Sequence, residues 1–444
     1  MFTKILIANR GEIAVRVIRA CREMGIATVA VFSEADKEAL HVSLADESYC
    51  IGGPQARESY LNMNAVLATA IAAKAEAIHP GYGFLAENPA FAALCREHGI
   101  AFIGPEPETI ASMGDKNAAR QTMRAAGIPV IPGCDLAESP EQAKREAEKI
   151  GFPLLIKACA GGGGRGIRLV TEAASFEKHY NAATAEARAA FGNGSVYLEK
   201  YLSPVKHIEM QILADHHGNV VCLGDRDCST QRKNQKLIEE SPAAIPGDVR
   251  ERMTAATIAA AKAANYRGAG TVEYLCDSKG EFYFMEMNTR LQVEHPVTEM
   301  VTWIDLVKWQ IRIAAGMALE FAQSDIACRG HAIECRINAE DPYRNFRPSA
   351  GKIGMLHIPG GPWVRFDTAA YDGYTISPFY DSLIGKLVVL AKTRDEAIRK
   401  MKAALCEFIL EGVEHNAEFQ TEILSSEEFA SGAYTTDYLS ALMP

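Results

Sequence analysis

Four consecutive glycines, Gly161 to Gly164, sit between two short apolar segments, Leu154 to Lys157 and Ile167 to Val170. Glycine loses more conformational freedom on ordering than any other residue, so a plain turn rarely uses four in a row. A glycine run does let backbone N–H groups approach a phosphate without an intervening side chain. A P-loop would continue as Gly-Lys-Ser/Thr into a helix, whereas this chain returns as a strand. The segment therefore reads as a hairpin flap over a nucleotide, with Lys157 and Arg165 as cations for the phosphates.

The start of the chain sets a second constraint. Lys4 to Ala8 is a strand, and Ile13, Val17, Ile18, Cys21 and Met24 recur at helical spacing before Gly25 ends the helix. Thr28 to Phe32 is the next strand, which makes a βαβ unit and hence a parallel sheet with right-handed crossovers. The turn Asn9-Arg10-Gly11-Glu12 lacks G-x-G-x-x-G, which excludes a dinucleotide site of that type. After a third strand at Ala77 to His79, the loop HPGYGFLAEN offers Tyr82, Gly83 and Glu87, readable as substrate contacts or as turn chemistry. Asn88 caps the following helix with Pro89 at its first position, and Ser139-Pro140 starts another that runs to Ile150.

Strands are expected at Val196 to Tyr201 and at Ile208 to Ala214, the second leaving His207, Glu209 and Gln211 on one side. The run Asp225 to Ser241, DRDCSTQRKNQKLIEES, is dense in charge and reads as a solvated segment between strands. Thr271 to Cys276 and the aromatic run from Phe282 predict a hairpin with Asp277-Ser278-Lys279-Gly280 as its loop. In that register Glu273 faces Phe284, and Glu273, Phe284, Glu286 and Asn288 share a face. Diagonal carboxylates ~7–8 Å apart at the backbone can close on a shared magnesium ion, whose oxygen ligands lie at about 2.1 Å. Arg290, Gln292 and Glu294 continue the every-second spacing and line up behind the pair if the chain stays extended. The last part of the chain begins with the strand HAIECRIN and adds short strands and a helix from Arg394 to Leu410, an α+β unit. Within it Arg336 shares a side with Glu334, the spacing of a core salt bridge.

At 444 residues the chain is long enough for about three domains. A net charge of −10 argues against a nucleic-acid surface. No apolar run approaches a membrane span, and the N-terminus has a strand-length apolar run rather than a secretory leader, so no membrane and a cytoplasmic location are expected. Eleven cysteines are scattered without a CxxC pair, as in a protein with reduced thiols.

Taken together, IANRGEIA at 7 to 14, HPGYGFLAEN at 79 to 88, MGDK at 113 to 116, KACAGGGGRG at 157 to 166, EKYL at 199 to 202, RDCSTQRKNQK at 226 to 236, EMNTRLQVEHPVTEM at 286 to 300 and ECRINAEDP at 334 to 342 resemble the biotin carboxylases. Those are the ATP-grasp subunits of bacterial acetyl-CoA carboxylase and its relatives. The resemblance implies an α/β and α+β chain. It would have an N-terminal parallel-sheet domain over residues 1–114, an ATP-grasp domain over 115–329 with its flap at about 131–202, and a C-terminal α+β domain over 330–444. It implies that MgATP, or MnATP, and bicarbonate give carboxyphosphate, whose CO2 passes to N1 of biotin on a separate carrier protein.

By the same resemblance ATP is held by Lys116, Lys157, Gly162, Gly163, Gly164, Glu199, Lys200, Leu202, His207, Gln231 and Asn234, and the metal by Glu273, Glu286 and Asn288. Bicarbonate is met by Lys236, Arg290, Gln292 and the backbone of Val293, with Glu294 as base, and Tyr82 and Arg336 face biotin. A biotin carboxyl carrier protein, carboxyltransferase subunits and a second copy of the chain are the implied partners. Three positions depart from the pattern: Asn234 for histidine, Ala160 for glycine and Cys159 for serine. Lys400-Met401-Lys402 is not a biotin attachment motif, which fits a separate carrier. The competing reading is another ATP-grasp ligase forming an acyl phosphate, or a subunit without turnover. The first needs neither Arg336 nor the Arg290-Gln292-Glu294 line, and the second would have lost Glu294, Glu286 or Lys236.

Overall fold

The computed structural model describes residues 1–134, 139–159, 167–192 and 194–442. Ala160, Gly162, Gly163, Gly164 and Arg165 lie outside them, as does the rest of the expected flap tip. The N-terminal part is a parallel sheet of Glu47–Cys50, Ala27–Phe32, Lys4–Ile7, Ala77–His79 and Ala101–Phe102, in that spatial order. Its inner strands are short and mostly apolar because both faces are covered, while the edge strand Glu47–Cys50 is polar and largely exposed. One face packs Ile5, Ile7, Ile13 and Val17 with Leu213, Val221, Leu291 and Trp309 from later in the chain, so the N-terminal part is joined to the centre by shared core.

The centre is an eight-stranded sheet in the order Phe282–Asn288, Gly268–Asp277, Val205–Ala214, Val220–Arg232, Gln235–Ser241, His331–Asn338, Leu383–Ala391 and Val364–Thr368. Every neighbouring pair is antiparallel. The 331–338 strand of the C-terminal part pairs directly with the 235–241 strand, so the sheet runs without a break across the residue-330 boundary. A small antiparallel sheet of Gly133–Cys134, Val196–Lys200, Leu154–Ala158 and Ile167–Val170 carries the flap segment. Among the described residues no helix is long and apolar enough to cross a membrane.

Two local expectations change. The charged run 225–241 is not a solvated connection: it forms most of two central strands, and Asp225, Arg226, Asp227, Glu239 and Glu240 are fully buried. The hairpin between them turns at Lys233 and Asn234, both left-handed with φ of 48° and 64°. Asn is among the few side chains that tolerate that region, so the departure at Asn234 suits the turn.

The second change is in the 268–288 hairpin. Tyr274 pairs with Phe284, but Glu273 pairs with Glu286, so Met285 is an extra residue in a β-bulge. The bulge turns Phe284 into the core beside Tyr274 and Val272, and Glu286 to the opposite face. Glu273 and Glu286 are thus direct partners rather than diagonal ones, and Phe284 does not share their face.

Glu240 ties the sheet to the C-terminal part. It accepts from Arg394 Nε at 2.8 Å and Tyr434 Oη at 2.6 Å and meets His331 Nε2 at 2.8 Å. Burial alone would raise its carboxyl, but His331 and Arg394 bring it down to about 2. A depressed carboxyl stabilises the fold above its unfolded value, ~4.3, and that contribution is lost as pH falls toward 2. The stability advantage of the wild type over Glu240→Gln should therefore shrink by ~3 kcal/mol between pH 5 and pH 2 in denaturant titrations.

Candidate active site

Lys236 lies at the middle of the central sheet's polar face. Its ammonium donates to Glu209 at 2.6 Å, Glu294 at 2.5 Å and Glu273 at 3.2 Å. All three carboxylates are buried, each reaching Lys236 from a different element. Burial would lower the lysine, yet the buried partners facing it hold it well above the usual range. Beneath it Arg226 is fully buried and donates to Glu209, Gln211 (2.7 Å), Thr298 (2.9 Å) and Thr271 (3.1 Å).

Glu273 collects the most donors. Besides Lys236 it accepts from Asn288 Nδ2 and Gln292 Nε2, each at 2.8 Å, and meets His207 Nε2 at 2.9 Å. Directly across the ladder Glu286 is half-buried against that charge. Burial first and Glu273 second raise its carboxyl, opposed by Lys116, His207 and Lys236. Two carboxylates that compete in this way fit a divalent cation, which would relieve both. Asn288 is at present turned to protein partners, its amide nitrogen to Glu273 and its oxygen to Arg290 Nη2 at 3.1 Å.

The segment expected to stay extended does not. The strand ends at Asn288, and residues 289–294 turn into the helix His295–Thr302 with Glu294 at its N-cap. That turn brings the polar residues together. Arg290 is braced by Glu87 of the N-terminal loop at 2.8 Å, and Gln292 reaches Glu273. Glu294 takes Lys236 on one oxygen and Arg336 Nη2 on the other at 3.0 Å. Burial raises Glu294, but Lys236, Arg336 and Arg226 overcome it and hold the carboxyl far below the usual range.

Arg336 does not pair with Glu334 as its spacing predicts. It donates from Nε to Glu239 at 2.6 Å and from Nη2 to Glu294, because the 235–241 strand lies alongside. The Val293 carbonyl accepts from the fully buried Lys386 at 2.9 Å, and Lys386 pairs with Glu12 at 3.1 Å. Tyr82 donates its hydroxyl to the same Glu12.

On the flap side Glu199 is shared by Arg120 and Lys157. Lys200 donates to the carbonyls of Gly151 and Phe152 at 3.2 and 3.1 Å, and Leu202 follows the end of that strand. Lys116 opens the helix Lys116–Ala125 and acts on Glu286. Cys159 Sγ accepts from Asn117 Nδ2 at 3.8 Å. Gln231 sits opposite Lys236 in the ladder, while Asn234 is exposed at the turn beyond it. Of the residues assigned to the nucleotide, Gln231 meets the cluster through Lys236 in the ladder and His207 through Glu273, while Lys157 and Glu199 pair with each other on the small sheet.

Arg226, Glu239, Lys386 and Glu12 have no role that local sequence pattern reveals. Arg226 and Glu239 lie in the charged run taken as solvated, and only strand alternation through His207 and Gln211 pointed to Glu209.

The model of the biotin carboxylase N-terminal domain matches residues 1–110. The ATP binding domain of the carbamoyl-phosphate synthase L chain matches 115–322, and the biotin carboxylase C-terminal domain 334–441. The biotin carboxylase of Nostoc sp. is 55% identical, covering 99% of this chain and 98% of its own. The Campylobacter jejuni biotin carboxylase, solved as a β,γ-ATP complex, is 49% identical with a TM-score of 0.97 over 99% of both chains. The biotin carboxylase domain dimer of Hydrogenobacter thermophilus 2-oxoglutarate carboxylase was solved with MgADP, ADP and bicarbonate. It is 50% identical, with a TM-score of 0.96 over 99% of this chain and 98% of that one.

Proposed function

The chain belongs to the biotin carboxylase family, and from that membership we propose how its buried cluster carries out the ATP- and bicarbonate-dependent carboxylation of biotin. The observation that carries the reading is the Lys236 ammonium shared by Glu209, Glu273 and Glu294, with Glu294 also clasped by Arg336. Glu273 and Glu286 would hold a divalent cation arriving with ATP, which would supply charge neutralisation on the phosphoryl group in transfer. Asn288 would be a further ligand through the oxygen that Arg290 now holds. Lys116, Lys157 and the glycines 162 to 164 hold phosphates, while Glu199, Lys200, Leu202, His207, Gln231 and Asn234 line the rest of the nucleotide.

Bicarbonate sits against Lys236, Arg290, Gln292 and the backbone of Val293. While Lys236 lies on Glu294, that carboxylate is a poor base. When Lys236 turns to the anion, Glu294 regains basicity and takes its proton as a bicarbonate oxygen attacks the γ-phosphorus. ADP leaves and carboxyphosphate forms. Carboxyphosphate then splits into CO2 and phosphate, and the phosphate takes the N1 proton of biotin. The resulting enolate, its ureido oxygen held by a charge-assisted hydrogen bond from Arg336, attacks CO2 through N1 beside Tyr82.

Apolar clusters drawn mainly from the N-terminal, central and C-terminal parts support a division into domains at about residues 114 and 329, with Leu237 and Ile238 of the centre packing into the C-terminal cluster. Related chains are parts of biotin-dependent carboxylases, and the Hydrogenobacter thermophilus domain is a dimer. We extend this to a cytoplasmic homodimer that serves a separate biotin carrier protein and carboxyltransferase subunits, in keeping with its free cysteines. Purified protein given MgATP, bicarbonate and free biotin should form carboxybiotin, and its bicarbonate-dependent ATP hydrolysis should rise with biotin. No carboxybiotin, together with hydrolysis indifferent to biotin, would sink the proposal.

A further inference from the structure

Glu239 and Glu334 are direct partners in the ladder between the 235–241 and 331–338 strands, and both are fully buried. Glu239 gives Oε1 to Arg336, while its Oε2 and both oxygens of Glu334 have no hydrogen-bond partner. Opposed Cβ atoms in such a ladder lie ~5 Å apart, near enough for two carboxyl groups to meet through one hydrogen. Two ionised carboxylates at that separation, away from water, repel each other strongly.

The cations nearby are matched to other groups. Arg336 is held by Glu239 and Glu294, and Lys236, on the same strand as Glu239, by Glu209, Glu273 and Glu294. Lys386, opposite Arg336 in the next strand, is engaged by Glu12 and the Val293 carbonyl. Glu334 is the carboxyl left over. A buried carboxylate with neither donor nor cation costs far more than its neutral form, so Glu334 keeps its proton at neutral pH. Burial raises it well above the usual range, with Glu239 and Glu294 assisting and Lys386 and Arg336 opposing. Glu239 is raised too, by burial first and against Arg336. The buried thiols of Cys228 and Cys335 face the same carboxylates and are raised by burial, so they stay neutral.

We propose that Glu239 and Glu334 share one proton, and that this pair lets the Arg336 guanidinium leave Glu239 for the ureido oxygen of biotin. The inference rests on the role given to Arg336 above. When Arg336 turns to substrate, an ionised Glu239 would be left as a stranded buried charge. The Glu334 hydroxyl, donating to Glu239, offsets that cost. Loss of the shared proton places a second negative charge behind Arg336 and holds the guanidinium back. The two glutamates are thus positioning residues that act through Arg336.

The test compares wild type with Glu334→Gln, which keeps a donor toward Glu239 and cannot ionise. Biotin carboxylation and bicarbonate-dependent ATP hydrolysis without biotin are followed against pH. The wild-type kcat for biotin carboxylation should fall on the alkaline side. Glu334→Gln should move that limb up by about one pH unit or more, about tenfold in rate at a fixed pH on the limb. Hydrolysis without biotin should keep the same profile in both proteins. Coincident limbs, or equal displacement in both reactions, would overturn the inference. Absence of carboxybiotin from the wild type would instead overturn the function proposed above. If Glu334→Gln does not fold, infrared difference spectra of the wild type decide. The carbonyl stretch of a protonated carboxyl at neutral pH, lost on alkaline titration, supports the shared proton, and its absence refutes it.

Discussion

Glu294→Gln should lower turnover by on the order of 10² or more while ATP binds nearly as in the wild type. Glutamine keeps the shape, so the turn at 289–294 and its approach to Lys236 and Arg336 survive. What it lacks is a lone pair basic enough to take the bicarbonate proton. The carboxylate is also wedged between two cations, so its loss leaves Lys236 and Arg336 with Glu209, Glu273 and Glu239 as their remaining acidic partners. Both should bind those acids more tightly and be less available to substrate. Single-turnover phosphate release separates this from a binding defect. Near-wild-type release would remove Glu294 from the role of base.

Lys236→Met should be the most damaging single change for fold and activity together. Methionine matches the length of the lysine stem, so packing is largely kept, but Glu209, Glu273 and Glu294 then face one another without their shared cation. Removing one partner of a buried ion cluster costs about 3–5 kcal/mol because the charges left behind are uncompensated. Loss of a preorganised charge on the bicarbonate side should cost on the order of 10³ in turnover. The pH dependence has a definite sign. In the wild type Glu294 is held far below its ordinary range, so it stabilises the fold at neutral pH and that contribution fades as pH falls. Without Lys236 its carboxyl rises and can take up a proton, so the stability gap should be widest at neutral pH and close in acid. Denaturant midpoints at neutral pH and at about pH 3, below the unfolded carboxylate value of ~4.3, measure this; a gap that does not depend on pH would mean packing, not charge, was lost.

Much of the local structure was legible in order along the chain. The caps at Asn88 and Ser139, the opening βαβ unit and the two strands of the 268–288 hairpin follow from side-chain stereochemistry within a few residues. Less legible was the face each residue presents. One extra residue at Met285 reverses the alternation, and nothing in EFYFMEMN marks it, because the bulge depends on how two strands fit their neighbours. The charged run 225–241 misled for a related reason. Its charges are opposed by partners from other strands, such as Glu209 for Arg226, which local composition does not reveal.

By itself the sequence determined the element types, the parallel opening sheet and the set of acids, lysines and arginines available for chemistry, since all of these depend on residue identity and short-range spacing. Only the tertiary structure decided which of them meet. Lys236 and Glu294 are 58 residues apart, and Glu239 and Arg336 97. They touch because the strand order places 235–241 between 220–232 and 331–338. That order is settled by burial of the whole sheet, a sum over many distant contacts, and the turn at 289–294 follows from the space it leaves.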